Sequence, residues 1–565
     1  LKKINYPPQL QAELLPKGCL PEFVWPAELG FELPDEVNLT EWVLDRNLGE
    51  ETADRIAFYS GGRAITYRTL GQWVNKFANV LRDLGVGEGD RVILRIPNSV
   101  EFVACALAVA RLAAVIVPTM ILLRARALVY EANECQAKVI VCAHDLLGEI
   151  ESGRDGFKTV EHIISIGGDP AELKSRDLLS YEELLAGASD QIESVRVCPW
   201  ESLGSLFFTS GTTGMPKGCM HLVGSIIGSL HLKALMLGGV HPTDVFIGSP
   251  PFAFVIGFNH NVLLPLVSGV PSVILEGRMS TERLVEAIPR FKATVFNAVP
   301  TAFNQLIDLP GIEEYDLSSL RVVMSGSAPL SVPTFERVKE LTGLEIVNGI
   351  GSTELNGTAV CSRPGDDPEA SGRAAPGVEA KVIDEQGKEC PPGVLGRLAS
   401  RSCFGTMYWQ NPEQQREAVI NGWSLSGDFF KKDESGLFWF VSRVDDIIKS
   451  RGYRVAPGEV EDVLNEHEAV RESAVIGIPD PEQGQRVKAF VILKEGFEES
   501  PELVEELRAF AKKGVAPYMC PSDIEFATSL PRTETGKIRR IELRDLEAKR
   551  EADQQVSAAG EERVQ

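Results

Sequence analysis

The residues best able to do chemistry lie in one string, Thr209-Ser210-Gly211-Thr212-Thr213-Gly214-Met215-Pro216-Lys217-Gly218. Its glycines let the backbone turn sharply and present amide donors, while its hydroxyls and one lysine can surround the oxygens of a phosphate. A Walker loop needs a glycine directly before the lysine and a hydroxyl after it, whereas Pro216 precedes Lys217 here and Gly218 follows. A flexible surface turn is the bland reading of any glycine-rich stretch, but the full string is far more specific than a lone GxGxxG. The apolar run Leu203 to Phe208 predicts a strand that delivers this loop.

Further polar clusters follow. Ser325-Gly326-Ser327-Ala328-Pro329 and Asn348-Gly349-Ile350-Gly351-Ser352-Thr353-Glu354 each come after a short apolar run, and Asp428 sits in Ser426-Gly427-Asp428. Arg443 precedes Asp445, Lys449, Gly452 and Arg454, and the basic run Pro531 to Arg540 contains Lys537. Taken alone, each has an ordinary reading as a helix cap, a turn or a solvated face. Together, and in this order from about Ile56 to Arg540, they resemble the motifs of the adenylate-forming superfamily, which contains acyl-CoA synthetases, the adenylation domains of peptide synthetases, and luciferases.

The resemblance implies a two-step ligase that uses ATP, Mg2+ and coenzyme A. It implies that Thr209 to Gly214 (Thr209, Ser210, Gly211, Thr212, Thr213, Gly214) and Lys217 hold phosphates, that Ser325 to Pro329 pack on adenine, and that Asn348 to Ser352 complete the nucleotide site. Thr353 would contact the α-phosphate and Glu354 the magnesium, a role that suits a carboxylate because magnesium takes hard oxygen ligands. Asp428 would accept the ribose hydroxyls, Arg443 would reach ribose and phosphates, and Lys449, Gly452 and Arg454 would complete that region. Lys537 would stabilise the negative charge that builds between the acid and the α-phosphate. Asp445 would be the hinge about which a small mobile domain swings between the half-reactions, bringing Gly452 to a pantetheine tunnel.

The same resemblance places the acyl pocket at Phe252, Ala253, Phe254, Gly257, Ala298, Ile350 and Gly351. The Ile-Gly-Ser-Thr-Glu string and the Pro-Phe-Ala-Phe segment are similar to benzoate and 2-aminobenzoate CoA ligases, so a small aryl acid is expected. After Glu354 the chain departs from that pattern with Leu355-Asn356-Gly357-Thr358, which keeps a branched or hydroxylated short acid open as an alternative. Two further roles compete, the loading of a carrier protein and non-catalytic nucleotide binding; the intact Glu354, Arg443 and Lys537 speak against the second. Relatives carry glycine where Arg111-Leu112-Ala113-Ala114-Val115 has Ala113, for which local repacking is the expectation.

The elements that must position these residues follow from hydrophobic period. Val74, Phe77, Leu81 and Leu84 recur at helical spacing up to Gly85, and alternation of strands and helices continues to about Cys142, which predicts a parallel sheet. A second alternating series runs from Val245 to Val347, so a doubly wound α/β body is expected. Short strands and turns after Gly372 predict an antiparallel β subdomain, and a small α+β domain follows. The division expected is 1–444, an adenylation domain, and 445–565, a lid domain carrying the catalytic lysine.

Composition narrows the partners. At 565 residues the chain exceeds what one core supports, and its formal net charge of -23 disfavours nucleic acid and anionic membrane as partners. The longest apolar stretch, Val103 to Pro118, is interrupted by Arg111 and reads as core rather than a membrane span. Ten cysteines without paired CxxC spacing fit reduced thiols, so a cytoplasmic location is expected. The partners expected are a small carboxylic acid, ATP and CoA, and a homodimer is an assembly open to the chain.

Overall fold

The computed structural model describes residues 4–192, 195–209, 216–277, 279–326, 330–450, 453–480, 484–532 and 538–550. The side chains of Asp445, Lys449, Tyr453 and Arg454 lie outside the description. The chain forms two compact units: residues 1–381, 399–426 and 435–438 make the larger, and residues 382–398, 427–434 and 439–565 the smaller. No helix among the described residues is long and apolar enough to cross a membrane.

The larger unit contains two extended sheets. In the first, strands Arg91–Arg95, Val115–Pro118, Val139–Ala143, His162–Ile166 and Leu179–Ser180 run parallel, and Leu203–Thr209 joins them beside Val115–Pro118. Leu203–Thr209 then pairs antiparallel with Lys217–Leu222, which sets Thr209 opposite Lys217. The second sheet places Ile346–Ser352, Val322–Gly326, Val295–Ala298, Phe246–Gly248, Ser272–Ile274 and Ile56–Ser60 side by side in parallel. Antiparallel strands close both of its edges. The expected α/β class and its two series are thus present, each series building a sheet of its own.

Local sequence explains how these elements begin and stop. The helix Tyr67–Asp83 starts where the Thr66 hydroxyl accepts the Thr69 amide, and it ends before Gly85, whose φ of +80° suits only a residue without Cβ. The helix Val100–Arg111 ends differently from expectation. Ala113 takes the left-handed conformation itself, with φ of +54°. The Ala114 amide then reaches back 3.2 Å to the Val109 carbonyl, the closing bond of a Schellman turn. Arg111 is buried, its charge balanced by Asp45 at 2.6 Å.

The smaller unit has an antiparallel sheet of Tyr453–Val455, Ile448–Ser450, Gly484–Leu493 and Val470–Asp480, with Asp523–Phe526 parallel to Gly484–Leu493. Helices Pro457–Asn465 and Pro501–Gly514 cover its apolar face, where Val460, Leu464, Leu507 and Ala511 meet Val475, Ala489 and Val491. This is the α+β pattern expected of the region.

Candidate active site

In the larger unit the candidate residues gather at the carboxyl ends of adjacent parallel strands, the place where open α/β sheets bind ligands. Ala298 stands opposite Ser325, Ser325 opposite Asn348, and Gly326 opposite Gly349. Side chains are small there because backbones and neighbours come close. A Cβ on Gly326 would lie 3.0 Å from Ile256 Cδ1, and one on Gly351 would collide with the Gly357 carbonyl oxygen. One on Gly257 would strike the carbonyl oxygens of Pro250 and Pro251. Glycine is therefore required sterically at Gly257 and Gly351, where backbone oxygens fill the space a Cβ would take, while at Gly326 the fit is tight.

Phe252 and Ala298 are buried, whereas Ala253, Phe254 and Ile350 are partly exposed. The short helix Val255–Phe258 carries Gly257 and runs into a π-helical turn, Asn259–Leu263. Such turns distort the regular ladder and recur at functional sites.

The strand Lys217–Leu222 and the turn bearing Thr353 and Glu354 are tied to each other by residues that sequence reading missed. His221, on the strand leaving the phosphate loop, is fully buried, and its Nε2 lies 2.7 Å from the Thr353 carbonyl oxygen while Nδ1 faces the Ser205 hydroxyl at 3.2 Å. Burial lowers its pKa to about 4, so near neutral pH it is an uncharged ring. The ring then donates from Nε2 to Thr353 and accepts from Ser205 at Nδ1. Tyr408 bridges to Cys219 of the same strand, and its hydroxyl donates to Glu354 Oε1 at 3.4 Å.

Lys217 opens its strand and donates to the Gln414 side-chain oxygen, and the Thr209 hydroxyl donates to the Lys217 carbonyl at 3.4 Å. The structure thus brings Thr209, Lys217, Thr353 and Glu354 into one neighbourhood. The signal for His221 was its place two residues after Cys219, on the same face of an otherwise apolar strand.

In the smaller unit Arg443 Nε lies 3.1 Å from Asp428 Oδ1, so these two candidates are neighbours. Lys449 and Arg454 are paired positions on adjacent strands. The Lys537 loop is closed at its base by the Arg532–Ile538 bridge and by the Arg539 amide donating to the Pro531 carbonyl at 2.8 Å. Ser210, Gly211, Thr212, Thr213, Gly214, Ser327, Ala328, Pro329, Gly452 and Lys537 lie outside the described residues, as do the side chains of Asp445, Lys449 and Arg454.

A magnesium ion carried by ATP fits what is present. Such an ion takes one or two protein carboxylates and draws its other ligands from phosphate and water. Glu354 is a partly exposed carboxylate held at one oxygen by Tyr408, which leaves acceptor capacity for a cation.

A doubly wound α/β body in which strands Leu203–Thr209 and Lys217–Leu222 flank a glycine-rich, lysine-bearing string, followed by an α+β unit, matches a nucleotide-dependent ligase of the adenylate-forming class. Residues 44–409 match the model of the AMP-binding enzyme family and residues 459–537 that of the AMP-binding enzyme C-terminal domain, and the chain belongs to this family of AMP-forming acyl-CoA ligases. It is 33% identical to the acetyl-coenzyme A synthetase of Bacillus subtilis (strain 168), with 91% of each chain covered. It is 31% identical to the benzoate–CoA ligase of Thauera aromatica, covering 91% of this chain and 97% of that one. Among solved structures it resembles the anthranilate CoA ligase AuaEII in complex with anthranoyl-AMP, with TM-score 0.82, 33% identity, and 92% and 99% of the two chains covered. ATP, magnesium and CoA are the usual partners in this family.

Proposed function

We propose that this enzyme adenylates a small aryl carboxylic acid and passes the acyl group to the thiol of coenzyme A. The observation that carries the reading is the set of small residues, Ala298, Ser325, Gly326 and Gly349, at adjoining carboxyl ends of the parallel strands, a setting that suits a compact planar acid. The likeness to benzoate and anthranilate ligases supports it.

A carboxylate does not react directly with a thiol, because oxide would have to leave. In the proposed first half-reaction a carboxylate oxygen attacks the α-phosphorus of ATP, and pyrophosphate departs. Lys217 and Lys537 offset the charge that builds on the phosphoryl oxygens, and Thr353 hydrogen-bonds the α-phosphate. Glu354 is the residue that would hold magnesium, which supplies neutralisation of the triphosphate. Asp428 and Arg443 take the ribose, with Lys449, Gly452 and Arg454 nearby in sequence.

In the second half-reaction the thiol sulfur attacks the acyl carbonyl, the thiol proton is lost, and AMP leaves. We assign residues 1–444 to adenylation and 445–565 to the lid, with Asp445 as hinge. A cytoplasmic homodimer is the setting in which we read it.

A second reading, a hydroxylated aliphatic acid, is favoured by the polar Asn356 where bulkier residues were expected. The test is AMP release dependent on ATP and CoA across benzoate, aminobenzoates, hydroxybenzoates, cyclohexane carboxylate and short branched acids. Turnover of an aryl acid at least tenfold above the aliphatic ones supports the reading, and the reverse order overturns it.

A further inference from the structure

Lys233 is an unusual residue to find inside this fold. It sits on the helix Val223–Met236, is 4% exposed, and has no carboxylate within ion-pair distance among the described residues. Its Nζ donates to the Asn356 carbonyl at 3.2 Å and to the Ser229 hydroxyl at 3.5 Å. A buried ammonium with neutral partners alone costs several kcal/mol, which is why its pKa falls to about 7.

Its hydrogen-bond partner Asn356 is itself a buried polar residue. Asn356 holds a left-handed backbone, φ of +56°, and its Oδ1 accepts from Asn259 Nδ2 at 2.8 Å, but its own Nδ2 is buried without a partner among the described residues. A small cavity, about the size of one water, opens beside Lys233, lined also by Ser229, Leu232, Met236, Thr358 and Phe404. Met236 and Thr358 approach within 3.8 and 3.3 Å of where a Cβ of Gly349 would stand. Gly349 belongs to the strand that carries Ile350 and Gly351, so the cavity and the acyl pocket share a wall.

We propose that this cavity is the far end of the acyl site, and that the acid this ligase activates carries, distal to the adenylated carboxylate, an oxygen that accepts a hydrogen bond from Lys233. The inference rests on the ligase reading above and narrows its substrate to an oxygen-bearing acid. Holding the Asn356 carbonyl needs only a neutral donor, whereas a lysine without a counter-ion is suited to an incoming acceptor. A site built to hydrogen-bond a substrate oxygen discriminates strongly against analogues that lack it, because its own polar groups are then left unpaired.

The test is acid-dependent exchange of pyrophosphate into ATP by the full chain with magnesium. The acids are matched sets: benzoate, 3-hydroxybenzoate and isophthalate; butanoate, 3-hydroxybutanoate and succinate. For wild type, kcat/KM on at least one oxygenated acid should exceed that on its plain counterpart about tenfold or more. In Lys233→Met that ratio should fall at least about tenfold. Because the ratio is taken within one preparation, partial loss of folded enzyme cancels.

Lys233→Gln, a neutral donor, serves as the second variant and identifies the oxygen. It retains part of the preference if the group is a hydroxyl and none if it is a carboxylate. Wild-type preference for the plain acid in both sets overturns the inference, as does an equal loss on every acid in Lys233→Met, which would make Lys233 only a prop for Asn356. In either case exchange itself persists and the ligase reading survives. Absence of exchange with every acid would sink both.

Discussion

Arg540 lays its guanidinium against the Glu461 carboxylate, with Nη2 at 2.6 and 2.8 Å from its two oxygens, and turns Nη1 to Asp446 at 3.2 Å. Glu461 also accepts the Val475 amide at 2.6 Å, so the pair is fastened to the central sheet of the smaller unit. Arg540 follows Lys537 by three residues. The lysine's loop therefore springs from a fixed base, and Arg540 is committed to carboxylates rather than open to the phosphates of CoA.

Removing that base should cost stability and rate together. Arg540→Gln leaves Glu461 buried without its counter-charge, at a cost of about 3 kcal/mol. Adenylation should fall about tenfold or more as Lys537 loses its placement. Chemical denaturation and pyrophosphate exchange check the two effects; an unchanged rate in a folded variant would separate Arg540 from the catalytic loop.

Lys537→Ala should lower acyl-adenylate formation by about a hundredfold or more while sparing thioester synthesis from supplied acyl-adenylate, since charge on the α-phosphate builds only in the first step. Single-turnover assays of each half-reaction measure the two separately. Equal loss in both would contradict the division of labour.

Ala113 occupies a left-handed position, a conformation that costs a residue with Cβ about 1–2 kcal/mol. Glycine also gains unfolded-state entropy, so Ala113→Gly should stabilise the enzyme by about 1 kcal/mol net. A higher denaturation midpoint with unaltered kinetics is the expected result.

His221 makes stability depend on pH. Its pKa is about 4 when folded and near 6.5 when unfolded, so between those values the unfolded chain binds more protons. Its contribution is fully present above about pH 6.5 and is lost progressively as pH falls toward 4, by up to about 3 kcal/mol. His221→Gln should flatten the denaturation free energy across that window. It should also lower adenylation, because the Thr353 carbonyl loses a rigid anchor.

Much of this was legible in sequence because local period and glycine spacing report local structure. The two strand–helix series and the strand Leu203–Thr209 that leads into the glycine-rich string follow from residues a few positions apart. That Ile56–Ser60 leaves its neighbours to join the second sheet beside Ser272–Ile274 was not legible, since pairing across such separation has no local signature. His221, Tyr408 and Lys233 were missed for a related reason. A lone polar residue in an apolar run looks like a satisfied core group until the structure shows which carbonyl or cavity it faces. Ala113 shows the opposite limit: its departure from glycine was visible, but its backbone conformation was not.

The central claim is that this chain converts a carboxylic acid and ATP into an acyl-adenylate, using Lys217, Thr353, Glu354 and Lys537. Pyrophosphate exchange into ATP, followed with labelled pyrophosphate and magnesium, tests it most directly. Exchange should appear only when a suitable acid is added and should collapse in Lys537→Ala. Exchange indifferent to the acid, or undiminished in that variant, would contradict it.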